Sequence, residues 1–164
     1  MPLFTKITLD DAFALLLNQK IVGKEFKRVS RRINRLKDDD WRLWFGRFLL
    51  FVRADAENGR FTDAVICLSE VEKLVADNPK AKEELSNLLN SETLFLVFKF
   101  YYEATGIPAV ALLLALAYQN GWGVEADIEK AYEFATVAAK MRESEPIYLM
   151  AREVLNSIMV QIAK

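Results

Sequence analysis

The chain has 164 residues, with 22 Lys and Arg, 23 Asp and Glu, one Cys and no His. The missing histidines exclude a Ser-His-Asp or Cys-His constellation and a His-ligated zinc site, and the lone Cys67 excludes an internal disulfide or thiolate cluster. With 52% hydrophobic residues the composition suits one globular domain with its own core, so any catalysis would rest on carboxylates, Lys, Tyr or a borrowed cofactor.

The N-terminus does not read as a signal peptide, because the apolar stretch Ala12–Leu17 is short and follows Asp10 and Asp11. Thr8 is placed to cap a helix over 9–20, with Asp10 and Asp11 in its first turn. Val22, Phe26, Val29, Ile33 and Leu36 form an apolar stripe on a helix over 22–37. Asp38–Asp40 supply a cap for a third helix over 40–57, rich in aromatics and closed by Asn58-Gly59. Its Trp41 and Trp44 read as core residues.

A fourth helix over 61–77 carries Phe61, Val65, Leu68, Val71 and Val75 on one face and stops at Asn78-Pro79. Residues 80–90 form a short polar helix. The run Leu94–Tyr102 permits a strand, but one strand would have no partner, so a helix over 92–104 is expected, closed by Thr105-Gly106. Pro108 opens a helix over 108–120, as proline suits the first helical turn. Further helices follow over 127–141 and 146–162. The longest apolar run, Ile107–Tyr118, holds twelve residues, short of the roughly 20 that span a bilayer. The expectation is a cytoplasmic protein with no membrane span.

One segment carries a motif. Residues 108–140 contain Leu114, Tyr118, Gly121, Gly123, Val124, Asp127, Lys130, Ala131, Phe134, Ala138 and Ala139. Small alanines let two helices approach, the glycines allow a tight turn, Asp127 caps the following helix, and Tyr118 can fill the groove between helices. The segment resembles the Sel-one-like repeat, a relative of the tetratricopeptide repeat, and departs from it at Ala115, where the family usually has Gly. A weaker echo lies over 44–75, around Gly59-Arg60-Phe61-Thr62-Asp63-Ala64.

The resemblance implies an all-α fold of stacked antiparallel helical hairpins, a short tetratricopeptide-like solenoid of about eight helices. The whole of 1–164 would form one helical-repeat domain. Residues 1–37 would be capping helices, 40–77 a degenerate hairpin, 80–106 irregular helices, 108–141 the clear hairpin and 146–164 a C-terminal cap. The first helix of each hairpin would line a concave groove. From the clear repeat it would present Ala109, Leu112, Leu116, Gln119 and Asn120; from the degenerate one, Leu49, Arg53 and Glu57. Trp122, between two glycines, is either an interface anchor or folded back on its own hairpin.

Charge is unevenly spread. Residues 1–37 hold nine Lys and Arg against three Asp and Glu, a net of +6, and the remainder holds thirteen against twenty, a net of −7. The basic share concentrates on the second helix, at Lys24, Lys27, Arg28, Arg31, Arg32, Arg35 and Lys37. Because the apolar stripe faces the core, these cations project outward together, as a solvated face or as a contact surface for an acidic protein, nucleic acid or anionic lipid. The acidic remainder repels phosphate and counts against nucleic acid.

No phosphate loop, dinucleotide fingerprint or paired-carboxylate signature stands out. The expected function is non-catalytic protein–protein interaction, as an adaptor, secretion chaperone or toxin-neutralising immunity protein, with no cofactor. The alternative is a nucleic-acid-associated or anionic-surface-binding regulator acting through 22–37. A homodimer is open if the face of Leu94–Tyr102 stays uncovered.

Overall fold

Apolar stripes at helical spacing run through almost the whole chain, and each has to be covered by another helix. A computed structural model shows how this is done and describes residues 7–19, 23–53, 60–140 and 145–164. Among the described residues the secondary structure is all helical. The helices are α1 (Leu9–Leu17), α2 (Lys24–Asn34), α3 (Trp41–Phe51), α4 (Phe61–Val75), α5 (Pro79–Leu89), α6 (Glu92–Thr105), α7 (Pro108–Asn120), α8 (Ile128–Ala139) and α9 (Glu145–Ala163). Among the described residues nine helices stand where about eight were expected, and none of them is long and apolar enough to cross a membrane.

Most boundaries follow from local chemistry. Thr8 Oγ1 accepts from the Asp11 N–H at 3.1 Å, and Asp40 Oδ1 accepts from the Arg42 N–H at 3.0 Å, each relieving a free donor at a helix start. Asn78 Oδ1 accepts from the Ala81 N–H at 3.1 Å, so Asn78-Pro79 opens α5 as well as following α4. Gly106 closes α6 in the left-handed conformation. Helix α3 is shorter than 40–57, ending at Phe51, and the Asn58-Gly59 stop lies outside the described residues.

The chain forms two compact units, Met1–Ala81 and Lys82–Lys164. In the first, α3 packs against α1, α2 and α4, and its Leu43, Phe45, Gly46, Phe48 and Leu49 are buried. Phe13 of α1 meets the edge of Phe45 at 5.2 Å between ring centroids, a favoured geometry for aromatic pairs. At Gly46 α3 packs tightly against α2, since a Cβ there would lie 2.6 Å from Cγ2 of the buried Ile33. The two tryptophans expected in the core are only half-buried. Trp44 Nε1 donates to the Asp38 carbonyl at 2.9 Å, and burying the ring fully would deny the indole this partner at the surface.

In the second unit, α7 packs against α6, α8 and α9, and every residue from Ala109 to Tyr118 is buried. Tyr118 lies between helices: its ring stacks on Phe134 of α8 at 5.7 Å and meets Phe95 of α6 edge-on at 5.4 Å. Ala131, Ala135 and Ala138 form the buried side of α8. Asp127 caps α8 by accepting from the N–H groups of Glu129 and Lys130. The α7–α8 turn is tied to the start of α6: the Gly123 N–H donates to Asn90 Oδ1 at 2.9 Å, and a Cβ on Gly123 would run into the Ser91 carbonyl. The outer side of α6 leaves Leu96 and Phe100 exposed.

Two comparisons test these close approaches. Gly123 and Gly106 both have positive φ, but nothing crowds Gly106. Gly106→Ala should cost about 1 kcal/mol, from the backbone conformation alone, and Gly123→Ala distinctly more, read as midpoints of urea unfolding. Gly46→Ala should lose about 1–3 kcal/mol to overpacking, and Ile33→Ala in the same chain should recover part of that loss as a positive coupling in the double-mutant cycle.

Candidate functional site

Helix α2 places its charge by the same rule that places its core side. Val29 and Ile33 are fully buried. At about 100° per residue, Lys24, Arg28, Arg31 and Arg35 fall on one line along the opposite side, at steps of four, three and four. Lys24, Lys27, Arg31 and Arg35 are exposed, and Arg28 and Arg32 are half-buried at the margin. Among the described residues Lys24, Lys27, Arg31 and Arg35 form no ion pair. Like charges at this spacing oppose helix formation by roughly 0.2–0.5 kcal/mol per pair. Arg31 and Arg32 stand in the last turn, where the helix dipole favours cations, so the repulsion is partly offset and α2 is held mainly by packing.

That packing comes from α3 and the residues after it. The Arg53 guanidinium lies over the Phe26 ring at 4.0 Å, and Arg47 Nε donates to Asn34 Oδ1 at 3.1 Å. Asp40 sets the start of α3. Burial raises its pKa, but the side-chain and backbone hydrogen bonds from Arg42, and the Arg42 charge, outweigh burial, and Asp40 titrates below its ordinary value. Its contribution to stability is full at neutral pH and fades as pH falls through that lowered value.

The groove expected from the repeat pattern is not a surface. Leu49 is 1% exposed, Leu112 fully buried and Leu116 7% exposed, and Ala109 is buried with them. The physical reason is that α3 and α7, the first helices of their hairpins, are each enclosed by three other helices. Leu112, Leu116 and Gln119 share one side of α7, and Gln119 Nε2 donates to Ser157 Oγ at 2.9 Å and to Gln161 Oε1 at 3.2 Å, so α9 covers that side. Asn120 Nδ2 donates to its own helix at the Leu116 carbonyl. Arg53 is occupied with Phe26. Trp122 is half-buried, with its backbone N–H bonded to the Ala117 carbonyl. Glu57 lies outside the described residues.

What the structure brings together beside the α2 stripe is a cleft that sequence reasoning missed. It measures about 350 Å³ and is lined by Ile7, Asp11, Ala14 and Leu15 from the α1 region and by Glu25 and Arg28 from α2. Arg28 belongs to both features. The one sequence sign of the cleft is that Asp11, Ala14 and Leu15 recur on the side of α1 away from its buried Leu9, Ala12, Phe13 and Leu16. Among the described residues no group of three or more His, Cys, Asp or Glu could hold a metal ion. A scan against protein-family models, a search of curated proteins and a search of solved structures each returned no match.

Cys67 is buried in α4, and burial pushes its thiol up to about 11 against the smaller lowering effect of Arg47. The folded state thus favours the neutral thiol, so this contribution is full below the unfolded thiol's pKa and is lost as pH rises through about 11. Native protein should resist iodoacetamide at pH 8 and react at the normal thiol rate once unfolded in urea, scored by intact mass.

Proposed function

We propose that this protein is a non-catalytic protein–protein interaction module of the cytoplasm that binds an acidic partner protein through the basic side of α2. The observation that carries this reading is the line of Lys24, Arg28, Arg31 and Arg35 opposite a fully buried Val29 and Ile33. A row of like charges, exposed at Lys24, Arg31 and Arg35, is complemented when a surface of opposite sign covers it. The Sel-one-like relation of 108–140 belongs to the same proposal. It is supported by Gly121 and Gly123 in the turn, Asp127 at the cap and Tyr118 between helices.

Three roles suit such a module. A secretion chaperone would need an open groove for an extended peptide, and Leu49, Leu112 and Leu116 are buried instead. A charged side that can cover another protein favours an adaptor or a toxin-neutralising immunity protein. The test is affinity capture from the native host with mass spectrometry, using the full chain and an Arg31→Glu/Arg35→Glu variant. One stoichiometric acidic protein, lost with the double charge reversal, supports the proposal. Recovery of nuclease-sensitive material with no protein partner overturns it in favour of a nucleic-acid regulator.

Stability and binding should move in opposite directions at Lys27. A Glu there stands four residues before Arg31 and in the N-terminal half of α2, both favourable positions for a carboxylate. Lys27→Glu should stabilise the free protein by about 0.3–1 kcal/mol in urea unfolding. The same variant should bind the captured partner more weakly, through a slower association rate that converges with wild type at high salt.

A further inference from the structure

We propose that the cleft between α1 and α2 receives one apolar side chain of the partner whose carboxylates lie along the basic side of α2. The proposal rests on the interaction reading above and adds the second half of the recognition pattern: an apolar anchor beside an acidic segment.

Three features of the cleft support this. Its volume of about 350 Å³ stands at the small end of the roughly 300–1,000 Å³ typical of ligand pockets, which suits one or two side chains. Ile7, Ala14 and Leu15 give it an apolar lining; Ala14 is exposed and Ile7 and Leu15 are half-buried, so an entering side chain covers surface now open to water. Arg28 joins the cleft to the cationic line, and from there Arg31 and Arg35 continue along α2.

The spacing sets the partner's chemistry. Seven residues separate Arg28 from Arg35, or about 10 Å at 1.5 Å per residue. That distance is roughly three residues of extended chain. Asp11 and Glu25 stand at the cleft itself, so carboxylates immediately beside the anchor would be repelled, and those about 5 to 10 Å along α2 would meet Arg31 and then Arg35. The same two carboxylates disfavour a nucleic acid, whose phosphates follow one another too closely to avoid them.

Two synthetic peptides test the proposal on the full chain, by amide chemical-shift titration. Each carries paired Glu residues on both sides of a central position, roughly three residues away; one has Leu at that position and the other Ser. The Leu peptide should bind about tenfold tighter, the expectation for burying one Leu side chain. Both peptides should shift amides of α2, and only the Leu peptide those of Ala14 and Leu15 on α1. Filling the cleft with Ala14→Phe should remove the Leu advantage and leave the Ser peptide unchanged. Ala14→Leu, a smaller change at the same exposed position, should remove part of it.

Equal binding of the two peptides to wild-type protein would overturn the cleft proposal and leave the interaction reading standing. Binding of neither would overturn both. Displacement of the Leu peptide by a short oligonucleotide would assign α2 to nucleic acid and overturn both as well.

Discussion

Helices α3 and α7 each touch three other helices of their own unit; α3 keeps Arg42 and Arg47 at the surface, and α7 has no polar residue before Gln119. The constraint is severe for α7, where ten consecutive residues from Ala109 to Tyr118 are buried. A helix that is apolar on every side has to be enclosed, and α6, α8 and α9 are placed to enclose it. Leu112, Leu113 and Leu114 are no more than 1% exposed, and each adds roughly 1.5–3 kcal/mol of burial. In the first unit Phe45, Phe48 and Leu49 hold α3 among α1, α2 and α4 in the same way. Among the described residues the core holds no buried polar or charged side chain, so these two enclosures carry no polar network to satisfy.

This enclosure explains where binding surface is and is not available. Covered by three neighbours, α7 leaves none of Ala109–Tyr118 for a partner, and α3 leaves only half-buried residues such as Trp44 and Arg47. The charged and open surface falls instead to the peripheral helices. Helix α2 has one apolar stripe and one basic line, and its packing on α3 through Gly46, Phe26 and Asn34 leaves the basic line outward. Helix α1 buries Leu9, Ala12, Phe13 and Leu16 and turns Asp11, Ala14 and Leu15 toward the cleft. Function, in the reading proposed, follows from which helices could not be made central.

Much of this was legible in the residues. The caps at Thr8, within Asp38–Asp40 and at Asp127 could be placed because a short oxygen-bearing side chain before an apolar periodic run has one strong use, and the structure gives the second to Asp40. Helix α6 could be told from a strand because a lone strand has no partner. The outward charge of α2 followed from its period. The groove was misplaced for a physical reason. Sequence period shows that a side of a helix is apolar, but not how many neighbours cover it. Leu112 and Gln119 lie on the same side of α7, and only the contact of Gln119 with Ser157 and Gln161 shows that α9 is there. The cleft was invisible for a related reason: its walls come from two helices whose juxtaposition is a tertiary fact.

The amino-acid sequence by itself determined an all-helical chain, the register of its apolar stripes, its caps, and the separation of a basic α2 from an acidic remainder. These are local properties, set by side-chain type at fixed helical spacing. Tertiary structure alone decided that α3 and α7 are central, that no Cβ fits at Gly46 or Gly123 without displacing a neighbour, and that Arg28 stands at the edge of a cleft with an apolar lining. Those outcomes depend on which stripe is paired with which, and pairing is chosen by how well whole surfaces fill space together.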